Sequence, residues 1–208
     1  YIWEQLLYPQ ILDDVELRMI FKGKYKEVAD SDLPTDPEDS MDGIETILVD
    51  QKALGNGSKI NFFSDLNINW ATATDAEVIA FFEAFVDKLK PLYKNKKMNL
   101  YAAPEVLTRY ERAYKKIWGT NSGQAGDFGT RRIDFSNVTI VALDGMTGSP
   151  IIFSTPDGNM VKLRHKNEVP LVINDVQKHD YEVRLYGEFW LAVGLQIAEA
   201  VFVYVTAN

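Results

Sequence analysis

Residues 74–89, TDAEVIAFFEAFVDKL, contain the clearest secondary-structure pattern in the 208-residue chain. They begin with a capping box, in which the Thr74 hydroxyl and the Glu77 carboxylate satisfy backbone donors that a helix leaves unpaired. Apolar residues then recur at steps of three and four, at Val78, Phe82, Phe85, Leu89 and Leu92. This spacing predicts a long helix with one buried face. We expect that face to pack against the apolar C-terminal segment, 181–205.

Prolines and glycines mark the ends of the neighbouring elements. We expect one helix over 9–22, ending before Gly23, and another from Pro104 to Gly119. Pro91 predicts a kink or stop in the long helix near Lys90. Apolar patterns predict strands at 98–102, 138–142, 150–154 and 160–164, with a hairpin-type turn at 156–159 and two further β-rich runs between 180 and 205, broken near Gly194. The chain therefore belongs to the α+β class.

The composition is that of a globular protein, with 46% hydrophobic and 25% charged residues. No stretch of eighteen apolar residues occurs, which excludes a membrane-spanning helix, and we expect no membrane partner. The absence of cysteine excludes disulfides, zinc-thiolate sites and thiol nucleophiles. The chain carries no signal peptide and begins with Tyr1 rather than methionine. We therefore expect it to be a fragment.

Negative charge is concentrated in the first third of the chain. Residues 1–70 contain 14 acidic and 6 basic residues, and the remainder is balanced, so this region accounts for the net charge of −8. The acidic stretch 30–42 lacks the ligand spacing of a calcium loop, and we interpret it as a solvated loop. The lysines between 88 and 97 are interpreted as a solvated helix end. This charge balance argues against general or sequence-specific nucleic-acid binding.

The sequence nominates no active site. Its two histidines, His165 and His179, are not accompanied by the strand-turn-helix motif of a serine hydrolase. One histidine near Asp175 and Asp180 is too few ligands to indicate a metal site. The turn at 55–58 lacks the lysine of a phosphate-binding loop. We therefore expect no catalytic residues, no cofactor and no metal, and a structural or binding role rather than an enzyme.

A family resemblance is carried by several segments in a fixed order. These are VELRMIFKG (15–23), MDGI (41–44), the long helix at about 75–90, MNLY (98–101) followed by Pro104-Glu105, the strand 138–143 leading to GSP (148–150), IIFSTPDGN (151–159) and the C-terminal β-pair 181–205. Their order resembles that of the major capsid proteins of tailed bacteriophages, the Hong Kong 97 type of shell protein.

The resemblance implies a phage capsid-type fold with a long spine helix. It implies a small axial α/β domain at 98–156 and a peripheral domain, with a β-sheet, formed by 1–97 and 157–208. The family's N-terminal arm and extended β-loop precede the first helix. Without them, we expect these 208 residues to be monomeric or weakly associated.

The implied function is that of a structural subunit of an icosahedral bacteriophage or prophage head. The implied partners are copies of the chain in hexamers and pentamers, together with scaffolding protein and portal. The protein would reside in the virion, and in the host cytoplasm during assembly. Contacts between subunits are expected at the loops 30–42 and 120–129, and residues 119–129 should be mobile in the isolated chain. Two alternatives remain open: another phage structural component, such as a tail or connector protein, and a hydrolase with an acidic cleft.

Overall fold

The computed structural model describes residues 5, 7–27, 36–119, 130–164, 172–179, 182–188 and 191–206. The helices are α1 (Tyr8–Asp14), α2 (Ile20–Lys22), α3 (Ile44–Ala53), α4 (Asp75–Asp87), α5 (Pro91–Lys94) and α6 (Pro104–Trp118). The strands are β1 (Asn61–Phe62), β2 (Met98–Ala102), β3 (Thr130–Arg132), β4 (Val138–Ala142), β5 (Ile151–Pro156), β6 (Met160–Arg164), β7 (Val172–His179), β8 (Glu182–Glu188), β9 (Leu191–Leu195) and β10 (Phe202–Val205). Mixed helix and sheet confirm the α+β class.

The chain forms two compact units, and each combines two separate stretches of sequence. One contains Tyr1–Ile44 and Val161–Gly194, and the other contains Glu45–Met160 and Leu195–Asn208. These bounds differ from the predicted division into 98–156 and the remainder. The physical reason is that α4 and β2 bury their apolar side chains in the same core, which places the spine helix in the second unit.

A six-stranded mixed sheet forms the framework of the second unit, in the order β1-β10-β5-β2-β4-β3. Strands β2 and β4 are parallel, with α6 and β3 between them in the sequence, whereas β5 is antiparallel to both β2 and β10. Alternate residues of β2 (Met98, Leu100 and Ala102) are fully buried. The strand is thus covered by core on one face, and α6 supplies Leu107, Tyr110 and Ala113 to that core.

The spine helix α4 has the predicted cap and buried face. The Thr74 N–H donates to Glu77 Oε2 at 2.7 Å, and the Glu77 N–H donates to Thr74 Oγ1 at 3.3 Å. Phe82 and Phe85 are wholly buried, and so is Leu89 beyond the helix end. Edge-to-face contacts join Phe82 to Tyr110 of α6, with ring centroids 4.8 Å apart. The predicted burial of Phe82, Phe85 and Leu89 is confirmed. Leu92, the last residue of the predicted apolar series, is exposed and lies in α5, beyond the break at Pro91.

The C-terminal strands are paired differently from the prediction. Strands β7 and β8 form an antiparallel pair, whereas β10 lies between β1 and β5. The expected β-pair at 181–205 is therefore wrong. The helix contacts β10, the last strand of that segment, where the Phe81 and Tyr204 rings lie 4.8 Å apart. Strand β9 also continues through Gly194. Strand β6 pairs with β9, so the turn at 156–159 does not close a hairpin between β5 and β6.

The other predicted helices have their expected ends. The helix expected over 9–22 is formed by α1 and α2 joined through a π-helical segment, Val15–Met19. Helix α6 begins at Pro104 and is closed by Gly119, whose φ of 75° lies in the left-handed region that favours glycine. Pro91 begins the short helix α5, which confirms the break after α4.

Candidate assembly surface

The two predicted contact loops are described only in part. Residues 36–42 of the acidic loop are described, whereas 28–35 and the loop 120–129, including the predicted mobility of that loop, lie outside the described residues. His165 also lies outside them, and His179 ends strand β7. The described residues beside each loop show which side chains are exposed there.

The acidic segment is held against the first helix by Arg18. Its guanidinium lies 3.2 Å from a Glu38 carboxylate oxygen, 3.5 Å from Asp36 and 3.7 Å from Asp14. The hydrogen bond to Glu38 raises the pKa of Arg18, with further electrostatic contributions from the other two acids. The Tyr25 N–H also donates to the Asp42 carboxylate at 2.9 Å. The described part of the loop is therefore ordered by specific bonds, which the solvated-loop interpretation did not foresee.

An exposed acidic face lies on the same helix. Leu12, Asp13, Glu16 and Leu17 are all exposed, whereas Val15 and Met19 are buried. Residues 8–22 and 36–42 together contain seven acidic and two basic residues. We call Leu12, Asp13, Glu16 and Leu17 the acidic helix face.

A second surface combines aromatic and basic side chains where α6 ends. Ile117 and Trp118 are about half exposed, and the rings of Tyr114 and Trp118 lie 4.6 Å apart. The Arg131 guanidinium lies 4.5 Å from the centroid of the Tyr114 ring, in a cation–π contact. The Tyr114 hydroxyl donates to the Asp134 carboxylate, and this bond raises the pKa of Tyr114. Tyr114 thereby ties the end of α6 to the β3–β4 turn.

Phe135 stands at the tip of that turn and is fully exposed. Its φ of 55° lies in the left-handed region, which costs energy for any residue with a Cβ atom. The turn is held on both sides, since Ser136 Oγ donates to the Ile133 carbonyl and accepts from the Val138 N–H. We call Ile117, Trp118 and Phe135 the aromatic corner.

An ion-pair cluster anchors α6 to the start of α4. Arg109 lies 2.9 Å and Lys116 3.0 Å from the two carboxylate oxygens of Asp75. The hydrogen bond from Lys116 is the main cause of the lowered pKa of Asp75. The Arg109 guanidinium also donates to the carbonyl oxygen of Ala73 at 2.7 Å. These contacts fix the helix whose C-terminal end carries Ile117 and Trp118 of the aromatic corner.

A cavity of about 430 Å³ lies between α4 and the preceding segment, 65–73. Two carboxylates line it, and both already have partners: Asp65 pairs with Lys88, and Glu77 caps α4. The Thr74 backbone N–H is the main cause of the lowered pKa of Glu77, the opposite of what a general acid requires. The described residues contain no group of three metal-binding side chains, and none of their helices is long and apolar enough to cross a membrane.

Comparisons with known proteins identify the fold. No protein-family model and no curated protein matches the sequence. A chain of the satellite phage P4 procapsid, from a structure that includes the size determination (Sid) protein, is similar over 97% of this chain with a TM-score of 0.56 and 13% sequence identity. This chain has a capsid-like fold. These 208 residues span 61% of the length of the procapsid chain.

The structure of a virus-like particle from Pyrococcus furiosus is also similar, over 76% of this chain and 59% of that chain. Its TM-score is 0.39 and its sequence identity is 11%. The likeness to the phage procapsid chain confirms the fold prediction at the level of a capsid-like fold.

The aromatic corner was not predicted from the sequence. Tyr114 and Ile117 fall within the helix predicted from Pro104 to Gly119, for which the sequence analysis gives no surface role. One available signal was Phe135, which stands between Asp134 and Ser136 in a segment otherwise typical of a turn. An aromatic residue at such a position has no core to enter, and it could have been recognised as a contact residue.

Proposed function

We propose that this chain is a structural subunit of an icosahedral bacteriophage or prophage head. In this proposal, copies associate as hexamers and pentamers and enclose the genome. The observation that carries it is the likeness to a phage procapsid chain, which extends over 97% of these residues. The whole length is involved, so the likeness does not rest on one common motif.

The proposed domain roles follow the two compact units. We assign the axial role to the unit containing 45–160 and 195–208, which includes the whole of the predicted axial segment, 98–156. The peripheral role then belongs to the unit containing 1–44 and 161–194. Helix α4 keeps its proposed role as the spine, because its three phenylalanines are buried in the core.

Charge and surface composition support a protein that works through interfaces with other proteins. The net charge of −8 disfavours binding to DNA. We therefore propose that the subunits enclose the genome without sequence-specific contacts to it. Scaffolding protein and portal are further proposed partners. The proposed location is the virion, and the host cytoplasm during assembly.

Electron microscopy of the complete gene product that contains these residues tests the proposal. We expect closed particles of uniform diameter after expression without other phage proteins or with a scaffolding protein. Open rings or tubes under both conditions would instead favour a tail or connector component. A monomer that hydrolyses a substrate, with the carboxylates of the 65–84 cavity required for activity, would favour the hydrolase alternative.

A further inference from the structure

Phe135 is the least expected residue of the aromatic corner. A left-handed conformation favours glycine or asparagine, and full exposure removes any packing gain from the ring. The hydrogen bonds of Ser136 hold the turn in this shape. Those bonds stabilise the backbone of the turn, but the fully exposed Phe135 ring gains no packing against the described residues. Burial of the ring against another molecule would offset the exposure.

The aromatic corner lies within a basic surface. Four basic residues of 109–118 and 130–137 are exposed, namely Arg112, Lys115, Lys116 and Arg132, in a chain whose net charge is −8. Arg112 and Lys115 are exposed and precede Trp118 on α6 at steps of three, so the three side chains lie on neighbouring turns of one helix face. A partner for this surface must combine apolar side chains with negative charge.

The acidic helix face has the complementary composition. Leu12 and Leu17 supply exposed apolar surface, and Asp13 and Glu16 lie between them in the sequence. None of these four residues belongs to the Arg18 cluster, so binding would not break the bonds that order residues 36–42. The two surfaces carry opposite charges and both expose apolar side chains, although they belong to the same chain.

We propose that the aromatic corner of one copy binds the acidic helix face of a second copy. This inference rests on the proposed shell function and names the surfaces that carry it. Because the two surfaces differ, the contact is heterologous, and repetition of such a contact produces rings or open chains. Electrostatic attraction between the surfaces would weaken as salt is added.

Reciprocal charge reversal in the 208-residue chain tests the contact. We expect R112E/K115E and D13K/E16K each to weaken self-association at least tenfold, as measured by sedimentation velocity from micromolar to millimolar concentration. An equimolar mixture of the two variants should recover association, because each copy then meets a surface of opposite charge. The variant K52E/K59E is the matched control, since it changes the net charge as much as R112E/K115E does and should associate like the wild-type chain.

The variant Phe135→Asn separates binding from folding. Asparagine tolerates the left-handed conformation, so thermal stability should be unchanged or higher. Self-association should nevertheless fall at least tenfold, whereas Leu54→Ser, which removes another exposed apolar side chain, should leave it unchanged.

The proposal is overturned if the wild-type chain shows no association, if the reversed variants associate like the wild type, or if their mixture does not recover. It is also overturned if a single-stranded oligonucleotide, rather than a second copy, protects Trp118 fluorescence from quenching. Closed shells formed by a complete gene product carrying R112E/K115E would refute this contact while leaving the proposed function intact. Charge-dependent association of the 208-residue chain, together with a complete gene product that forms no shell, would support this contact and refute the proposed function.

Discussion

The Gly43 N–H donates to the carbonyl oxygen of Gly23 at 2.8 Å, where the end of the first helix meets the start of α3. A Cβ atom on Gly43 would lie only 2.5 Å from the carbonyl oxygen of Phe21. Backbone atoms on both sides leave no flexible group to move aside. The close approach of these two segments therefore depends on the absence of a side chain at both positions.

Gly43→Ala should destabilise the unit that contains the first helix by roughly 1–3 kcal/mol, because the added methyl overpacks against backbone. Urea unfolding followed by circular dichroism measures the loss. Gly57→Ala is the control, since a Cβ atom there would meet only the Leu54 Cβ at 3.9 Å. Equal stability of the two variants would contradict the close approach.

Phe85→Ala should reduce stability by about 3–5 kcal/mol, because it removes a wholly buried ring and leaves a cavity. The ring contacts Phe63 edge to face, with centroids 5.0 Å apart. Leu92→Ala provides the comparison, since Leu92 is 66% exposed and its loss should change the melting temperature little. An unchanged melting temperature for Phe85→Ala would show that α4 is not the spine of the core.

Ser154→Ala should leave stability unchanged or raise it by about 1 kcal/mol. Ser154 is fully buried in β5, and its Oγ has no hydrogen-bond partner among the described residues. Asn159→Ala should have the opposite effect, since the Asn159 side chain bonds to Thr155 and to both backbone groups of Ile197. Chemical denaturation of both variants distinguishes them, and a large loss at Ser154 would reveal an essential bond to its hydroxyl.

Tyr110 should make the fold sensitive to alkali. Burial raises its pKa to about 12, with a smaller contribution from Asp134. Because the folded pKa exceeds the unfolded value of about 10, this contribution to stability is present below pH 10 and is lost as the pH rises towards 12. Tyr110→Phe should remove that part of the pH dependence, whereas Tyr25→Phe, at an exposed position, should not. Identical alkaline unfolding of wild type and Tyr110→Phe would contradict this assignment.

Local signals were sufficient to predict the elements with marked ends. Strand β2 has the predicted bounds, and α6 runs from Pro104 to the residue before Gly119. The capping box placed the start of α4 because its two bonds depend on residues only three positions apart.

The pairing of strands that are distant in the sequence could not be predicted from local patterns. Strand β1 has only two residues, and it pairs with β10, whose residues lie about 140 positions later in the chain. The partners of β6 and β10 likewise depend on how distant segments meet, which an alternating pattern does not encode. The aromatic corner was missed for this reason: Trp118 and Phe135 are joined through Tyr114 and Asp134 only after the helix and the turn have packed together.

A reconstruction by cryo-electron microscopy of particles formed by the complete gene product tests the central proposal most directly. We expect a closed icosahedral shell in which this fold, with α4 and its six-stranded sheet, occupies every subunit position of the hexamers and pentamers. Particles without closed symmetry, or a shell whose subunits have a different fold, would contradict it.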